Sequence, residues 1–341
     1  MKIKEFRENL AAQFINLLEE KQLEWKREWD SPGAPKNGKS QKKYKGINKF
    51  KLTMTSIARG YEDSRWMTFN QIRDAGFSLK DAKGKGVQIE YWFPYDTENS
   101  KFISWEEFNK SDNKETDYRL VARYYTVFNA DHIEGIKPLE KITNADVKVD
   151  DIIPKLSANM GVDIKNDGGD RYFYILGEDV IHMPSPGVFN STYAYNSTAL
   201  HELTHATGSA NRLNRNMTGG FGTDDYAFEE LIAEISSCFM SVNLNVEQNE
   251  AHIENHKAYV QSWIQQIKEN PDVLVKAVQQ AEKATAYMEY KAELIPEKEY
   301  QQILDSSFQA KNENCQVLAE PGTHEHDAEI ESKPRKRAKS R

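Results

Sequence analysis

The chain has 341 residues, 38% of them hydrophobic, which is enough length and apolar content for two domains with separate cores. No apolar run approaches membrane-spanning length and the opening Met1-Lys2-Ile3-Lys4-Glu5 has no signal-type stretch, which argues against a membrane protein and for a cytoplasmic location. Cys238, in an apolar segment, and Cys315, in a polar one, make no disulfide framework, and the net charge of −8 speaks against a uniformly basic nucleic-acid binder.

Residues 1–24 read as an amphipathic helix, because Phe6, Leu10, Phe14, Leu17 and Leu18 recur at three and four residues. Trp25 and Trp29 follow, then a Pro/Gly turn region. From Ser31 to Tyr61 there is no acidic residue, while Lys36, Lys39, Lys42, Lys43, Lys45, Lys49, Lys51 and Arg59 alternate with Tyr44 and Phe50. In an acidic chain this block is a local positive field. Its cations suit phosphates, and exposed aromatic rings suit the stacking of unpaired bases. The plainer reading is a solvated lysine-rich loop.

A turn at Gly60-Tyr61 and a short helix near 70–75 come next. Lys83-Gly84-Lys85-Gly86 is a turn that suits either a phosphate or a plain hairpin connection. Val87–Phe93 alternates like a strand, and Tyr118–Asn129 reads as a second one, rich in Val and Tyr. Together they predict the small antiparallel sheet of an N-terminal α+β domain. The acidic residues 94–117 read as an insertion or mobile excursion between these strands, and 130–148 as a charged linker.

A helix over about 150–160, a strand at Val162–Ile164, a turn at Gly168-Gly169-Asp170 and strands at 171–176 and 180–183 form a short sheet. It leads into His201-Glu202-Leu203-Thr204-His205. On a helix, His201 and His205 lie on one face a turn apart and can reach one metal ion, with Glu202 placed to act as general base on a metal-activated water. Asn196 or Ser197 is the candidate N-cap and Gly208 the stop. His182 is a weaker ligand candidate, the simpler reading being an ordinary strand histidine.

Residues 226–240 read as a second helix, with Phe228, Leu231, Ile232, Ile235 and Phe239 at helical spacing. It supplies the third ligand from Glu229, Glu230 or Glu234. Glu230 is favoured, with Glu234 orienting a ligand histidine from behind and Glu229 best suited to a solvated acidic face. Tyr226 is placed either to present its hydroxyl to an oxyanion or to pack. Zn²⁺ is the expected ion and Mn²⁺ the alternative. The glycine-rich loop 209–225 lies beside the site. Helices over about 250–269 and 272–292 read as scaffold, and His252 and His256 as surface. The expected parts are 1–148, 149–304 and a disordered charged tail, 305–341.

These residues carry a family resemblance. It rests on Trp25 and Trp29, Pro35–Asn37, Tyr44–Asn48, Gly60-Tyr61, Arg65–Thr68, Gln71, Lys83-Gly84, Tyr91-Trp92 and Val127–Asn129. It continues through Asp179–Pro184, His201–His205, Arg212-Leu213 and Tyr226–Glu234. Over these stretches the chain resembles the ArdC-type antirestriction proteins, a group that includes TraC- and LtrC-like proteins of conjugative elements. The resemblance implies an α+β fold class, an N-terminal domain that binds single-stranded DNA, and a C-terminal zincin-like metallopeptidase domain. It implies residence on a mobile element and help for incoming single strands against host restriction. The DNA-binding candidates are Lys36, Lys39, Lys42, Lys43, Tyr44, Lys45, Asn48, Lys49, Arg65, Trp66, Lys83 and Lys85. The family's pattern does not extend to the acidic insertion or the tail. Two other readings stand beside this one: a DNA-binding module with a purely structural metal, and a metalloprotease whose lysine block recognises an acidic protein.

Overall fold

Apolar residues at three and four spacing set the first helix, α1 (Ile3–Glu20), which buries Phe6, Leu10, Phe14, Leu17 and Leu18. The computed structural model of the chain describes residues 3–20, 33–111, 117–139, 149–189, 191–217, 219–220, 222–244 and 257–306. Trp25, Trp29, residues 140–148 of the expected linker, His252, His256, Cys315 and the tail beyond 306 lie outside the described residues.

The lysine block is not one solvated loop. A short strand, β1 (Lys36–Asn37), and a tight turn lead into α2 (Gly46–Arg59). Ile47, Phe50, Met54 and Ile57 form its apolar stripe, and Gly60 ends it in the left-handed conformation, φ 65°, its N–H donating to Ile57 and Ser56. Then come β2 (Arg65–Thr68), α3 (Phe69–Asp74) with a Thr68/Gln71 capping box, and β3 (Ser78–Leu79). They are followed by β4 (Val87–Asp96), β5 (Lys101–Phe102), α4 (Trp105–Lys110), β6 (Tyr118–Asn129) and β7 (Ile133–Glu134).

The described residues fall into two compact units. Residues up to 91 with those from 123 onward form the first, and 92–111 with 117–122 the second. In the first unit β1, β2, β6 and β4 lie in that order, over a core of Leu52, Tyr61, Trp66, Val87, Ile89 and Val127. In the second unit β5 pairs with the end of β4, and Ser104 caps α4. The rings of Trp105 and Phe108 meet at 5.5 Å. The acidic stretch is therefore a folded excursion rather than a bare loop.

The rest of the first unit is α5 (Val149–Met160), β8 (Asp163–Lys165), β9 (Phe173–Ile175), β10 (Val180–His182), α6 (Thr192–Thr207) and α7 (Asp224–Leu244). It closes with α8 (Lys257–Glu269), α9 (Asp272–Lys291) and α10 (Glu297–Ser306), the last not foreseen in the sequence. β10 sits between β8, parallel to it, and β9, antiparallel to it.

α6 begins at Ser191, whose side chain accepts from Ala194 N, rather than at Asn196 or Ser197. Those two residues lie inside the helix, where the Ser197 hydroxyl bonds back to the Ala194 carbonyl. α7 is buried on two sides. Leu231, Ile235 and Phe239 join α1, α2, α8 and α9 in one core, while Met240 and Leu244 join α5, β10 and α6 in another. This double packing fixes the rotation of α7 against α6. Among the described residues no helix is long and apolar enough to cross a membrane.

Candidate metal centre

α6 places His201 and His205 one turn apart, and α7 brings Glu229, Glu230 and Glu234 against them. The two Nε2 atoms are 3.1 Å apart. One carboxylate oxygen of Glu230 lies 3.4 Å from His201 Nε2 and the other 3.5 Å from His205 Nε2. Among the described residues these three form the one group able to hold a metal ion. The spacing tests the fit. Ligands about 2.0–2.1 Å from a four-coordinate ion stand about 3.3–3.4 Å from one another. Two imidazole nitrogens and a carboxylate at these separations fit a divalent cation.

The far side of each imidazole also meets a carboxylate. His201 Nδ1 lies 3.3 Å from Glu234, and His205 Nδ1 lies 3.2 Å from Glu229. Glu229 is thus no solvated surface acid. It is buried and takes a two-pronged bond from Arg215, Nε to Oε2 at 2.9 Å and Nη2 to Oε1 at 2.5 Å. The Tyr226 hydroxyl bonds Glu230 and Tyr259, which engages it with the Glu230 carboxylate. Glu202 is buried beside His201. His182 is not brought to the group: its Nδ1 meets Asp167 at 2.7 Å and its ring stacks on Phe173.

Burial opposes charge on Glu230, but its hydrogen bond with His201 and the charge on both imidazoles outweigh burial and lower its pKa to about 2. Burial likewise disfavours protonated imidazoles, yet bonds to Glu230 and Glu234 hold His201 well above 6.5, and Glu229 raises His205. An incoming cation must displace those protons, so acid weakens its binding. Zn²⁺ affinity is accordingly expected to keep rising with pH beyond 6.5, the ordinary histidine value. Chelator-competition titrations from about pH 6 to about pH 8 check this, and a plateau reached by the ordinary value would contradict it.

Two motif segments far apart in sequence meet behind the site. Arg212 donates to both oxygens of Asp179, at 2.8 and 2.7 Å, and to the carbonyls of Ala206 and Met160, at 2.9 and 3.1 Å. It thereby ties the end of α6 to the turn before β10 and to α5.

The DNA-binding candidates divide by exposure. Lys39, Lys42, Lys43, Lys45 and Lys83 are exposed, and Lys36 and Lys85 partly so. Lys45 is already paired with Glu299 at 3.1 Å. Arg65 clasps Asp63 and donates to the Lys137 carbonyl. Tyr44, Asn48, Lys49 and Trp66 are buried, which removes them as surface contacts. Trp66, 0% exposed, fills the core under the sheet, and Tyr44 borders the same core. Asn48 exchanges two hydrogen bonds with the Glu90 backbone, at 2.7 and 2.9 Å. Lys49 lies 4.2 Å over the Phe239 ring and 3.7 Å from Glu282.

The sequence reading missed Tyr91 and Tyr125, 43% and 37% exposed, whose rings meet at 5.8 Å. They share strand parity with the core residues Val87, Ile89 and Val127, so alternation alone places them inside, yet both are exposed. The Asn48–Glu90 bonds tie the strand just before Tyr91 to the first turn of α2.

Fold and site together define a zincin-like metal-site protein preceded by a second module. Residues 151–280 match the family described as zincin-like metallopeptidase, and residues 4–128 match the N-terminal domain of anti-restriction factor ArdC. The crystal structure of antirestriction protein ArdC from the R388 plasmid, metal-free, superposes with a TM-score of 0.64 at 26% identity, covering 85% of this chain and 98% of that one. Its Mn(II)-bound form gives 0.63 at 27% identity, covering 85% and 99%. An Escherichia coli protein named DNA primase TraC is 34% identical over 334 residues, which is 92% of this chain and 30% of that protein. The chain belongs to the ArdC-type antirestriction proteins. It spans under a third of the TraC relative's length. The zincin-like domain, the three-residue group and the Mn(II)-bound relative indicate a divalent metal.

Proposed function

We propose that the chain is a metal-dependent peptidase whose N-terminal part, 1–148, holds single-stranded DNA in the service of antirestriction, with the peptidase part at 149–304. The observation that carries the metal half is the convergence of His201, His205 and Glu230 at 3.1–3.5 Å. Three protein ligands leave a coordination position open, as in catalytic sites, whereas a structural site is closed by four. Zn²⁺ is the proposed ion and Mn²⁺ the alternative. When bound, the ion supplies Lewis acidity at the scissile carbonyl and the attacking water. Glu202 takes the water's proton and returns it to the leaving amine. Glu229 and Glu234 fix the two imidazole rings, and Tyr226 fixes Glu230 instead of reaching an oxyanion.

On the DNA side, Lys39, Lys42 and Lys43 are exposed and form no ion pair among the described residues, and Tyr91 and Tyr125 offer exposed ring faces in the same N-terminal part. Such a surface suits a flexible strand with unpaired bases, held with little sequence preference. The names of the TraC and R388 relatives support the same direction. The test is binding of a fluorescent single strand to the full chain, with duplex DNA and an acidic protein as competitors. Poor competition by both is expected; equal competition by either would overturn the single-strand reading.

A further inference from the structure

Resting on the metal-site reading above, we infer that Arg215 is a positioning residue of that centre. Through Glu229 it fixes the ring of His205, and position 208 is glycine so that the guanidinium can lie against the end of α6.

The stretch after α6 folds back on the helix. Leu213 N donates to the Thr207 carbonyl and Arg215 N to the Gly208 carbonyl, each at 2.9 Å. This brings the Arg215 side chain, 4% exposed, against the last turn of α6. There Nη1 donates to Thr207 Oγ1 at 2.7 Å and Nη2 to the Thr204 carbonyl at 2.8 Å. The other edge grips both oxygens of Glu229. One guanidinium therefore references the Glu229 carboxylate to the backbone of the helix that carries both histidines. Glu229 Oε1 in turn faces His205 Nδ1 at 3.2 Å. A carboxylate there holds a proton on Nδ1 and leaves Nε2 to face His201 and Glu230. Lysine offers one point charge and cannot make the same fork.

Gly208 gives an independent line to the same conclusion. Its backbone is ordinary right-handed helix, φ −76° and ψ −14°, where alanine is the better residue, so conformation does not call for glycine. Space does. A Cβ at 208 would press hardest on the Met217 sulfur and would stand 2.9 Å from Arg215 Nη2 and 3.1 Å from its Cζ. Gly208→Ala thus crowds the guanidinium and the Met217 thioether together, without changing any charge or straining the backbone.

The experiment uses the full chain as wild type, Arg215→Lys, Gly208→Ala and Glu229→Gln. It measures Zn²⁺ affinity by chelator competition, the visible spectrum of the Co²⁺-loaded protein, and melting with and without Zn²⁺. All three variants are expected to bind Zn²⁺ about 10–100-fold more weakly, with altered Co²⁺ bands and a smaller rise in melting temperature on adding Zn²⁺. Wild-type affinity and spectrum in Arg215→Lys and Gly208→Ala, with melting lowered equally in both states, would overturn the inference and leave Arg215 a structural role alone. A wild-type chain that takes up neither ion would instead sink the metal-site reading itself, an outcome visible before any variant is compared.

Discussion

Glutamine in place of Glu202 is expected to leave Zn²⁺ bound and to lower hydrolysis of an unfolded protein substrate by about 10²–10⁴-fold. The proposed ligands His201, His205 and Glu230 are untouched by this change, and the amide matches the carboxylate in size within a buried setting. What it lacks is a lone pair basic enough to take a proton from water at neutral pH. Metal content and turnover measured on the same preparation separate the roles. Undiminished hydrolysis would show that Glu202 is not the base. Joint loss of metal and activity would make it a ligand.

Changing Lys39, Lys42 and Lys43 together to glutamine is expected to weaken single-strand binding and to flatten its salt dependence by about 2 in log–log slope, at about 0.7 per phosphate lost. Tyr91→Ala or Tyr125→Ala should weaken binding by about 1–3 kcal/mol while leaving that slope alone, because stacking releases no counterions. Lys49→Met is the contrast. Its ammonium is buried against Phe239 and Glu282, so the melting temperature should fall while the slope stays at the wild-type value. Salt titrations of a labelled strand across these variants check all three. An unchanged slope in the triple variant would place the DNA elsewhere on the chain.

What could be read from the sequence was what depends on local period. The i, i+4 spacing of His201 and His205 puts both on one helix face whatever surrounds them, and the α+β alternation of strands and helices is legible in the same way. The choice among Glu229, Glu230 and Glu234 is of another kind. Neighbouring residues on a helix differ by about 100° in direction, and only the rotation of α7 against α6 decides which acid faces which nitrogen. That rotation is set by packing in two cores at once. The Arg215–Glu229 pair comes from a loop folding back on α6 and has no period to betray it. In the lysine block, charge masked a helix. The stripe of Ile47, Phe50, Met54 and Ile57 is present, but the lysines between them read first as a positive field, with a solvated loop as the plainer alternative, and neither reading names a helix. Residue type also misled about exposure. Tyr44 and Trp66 are buried, while Tyr91 and Tyr125, which strand alternation assigns to the inside, are exposed.

The most direct test of the central claim is a titration of the metal-free full chain with Zn²⁺, counting ions bound per chain for wild type, His201→Ala and Glu230→Gln. The geometry of the three converging side chains predicts one ion per wild-type chain, loss of binding in His201→Ala and sharply weakened binding in Glu230→Gln. Saturable binding that survives both substitutions, or no binding by the wild type, would contradict it.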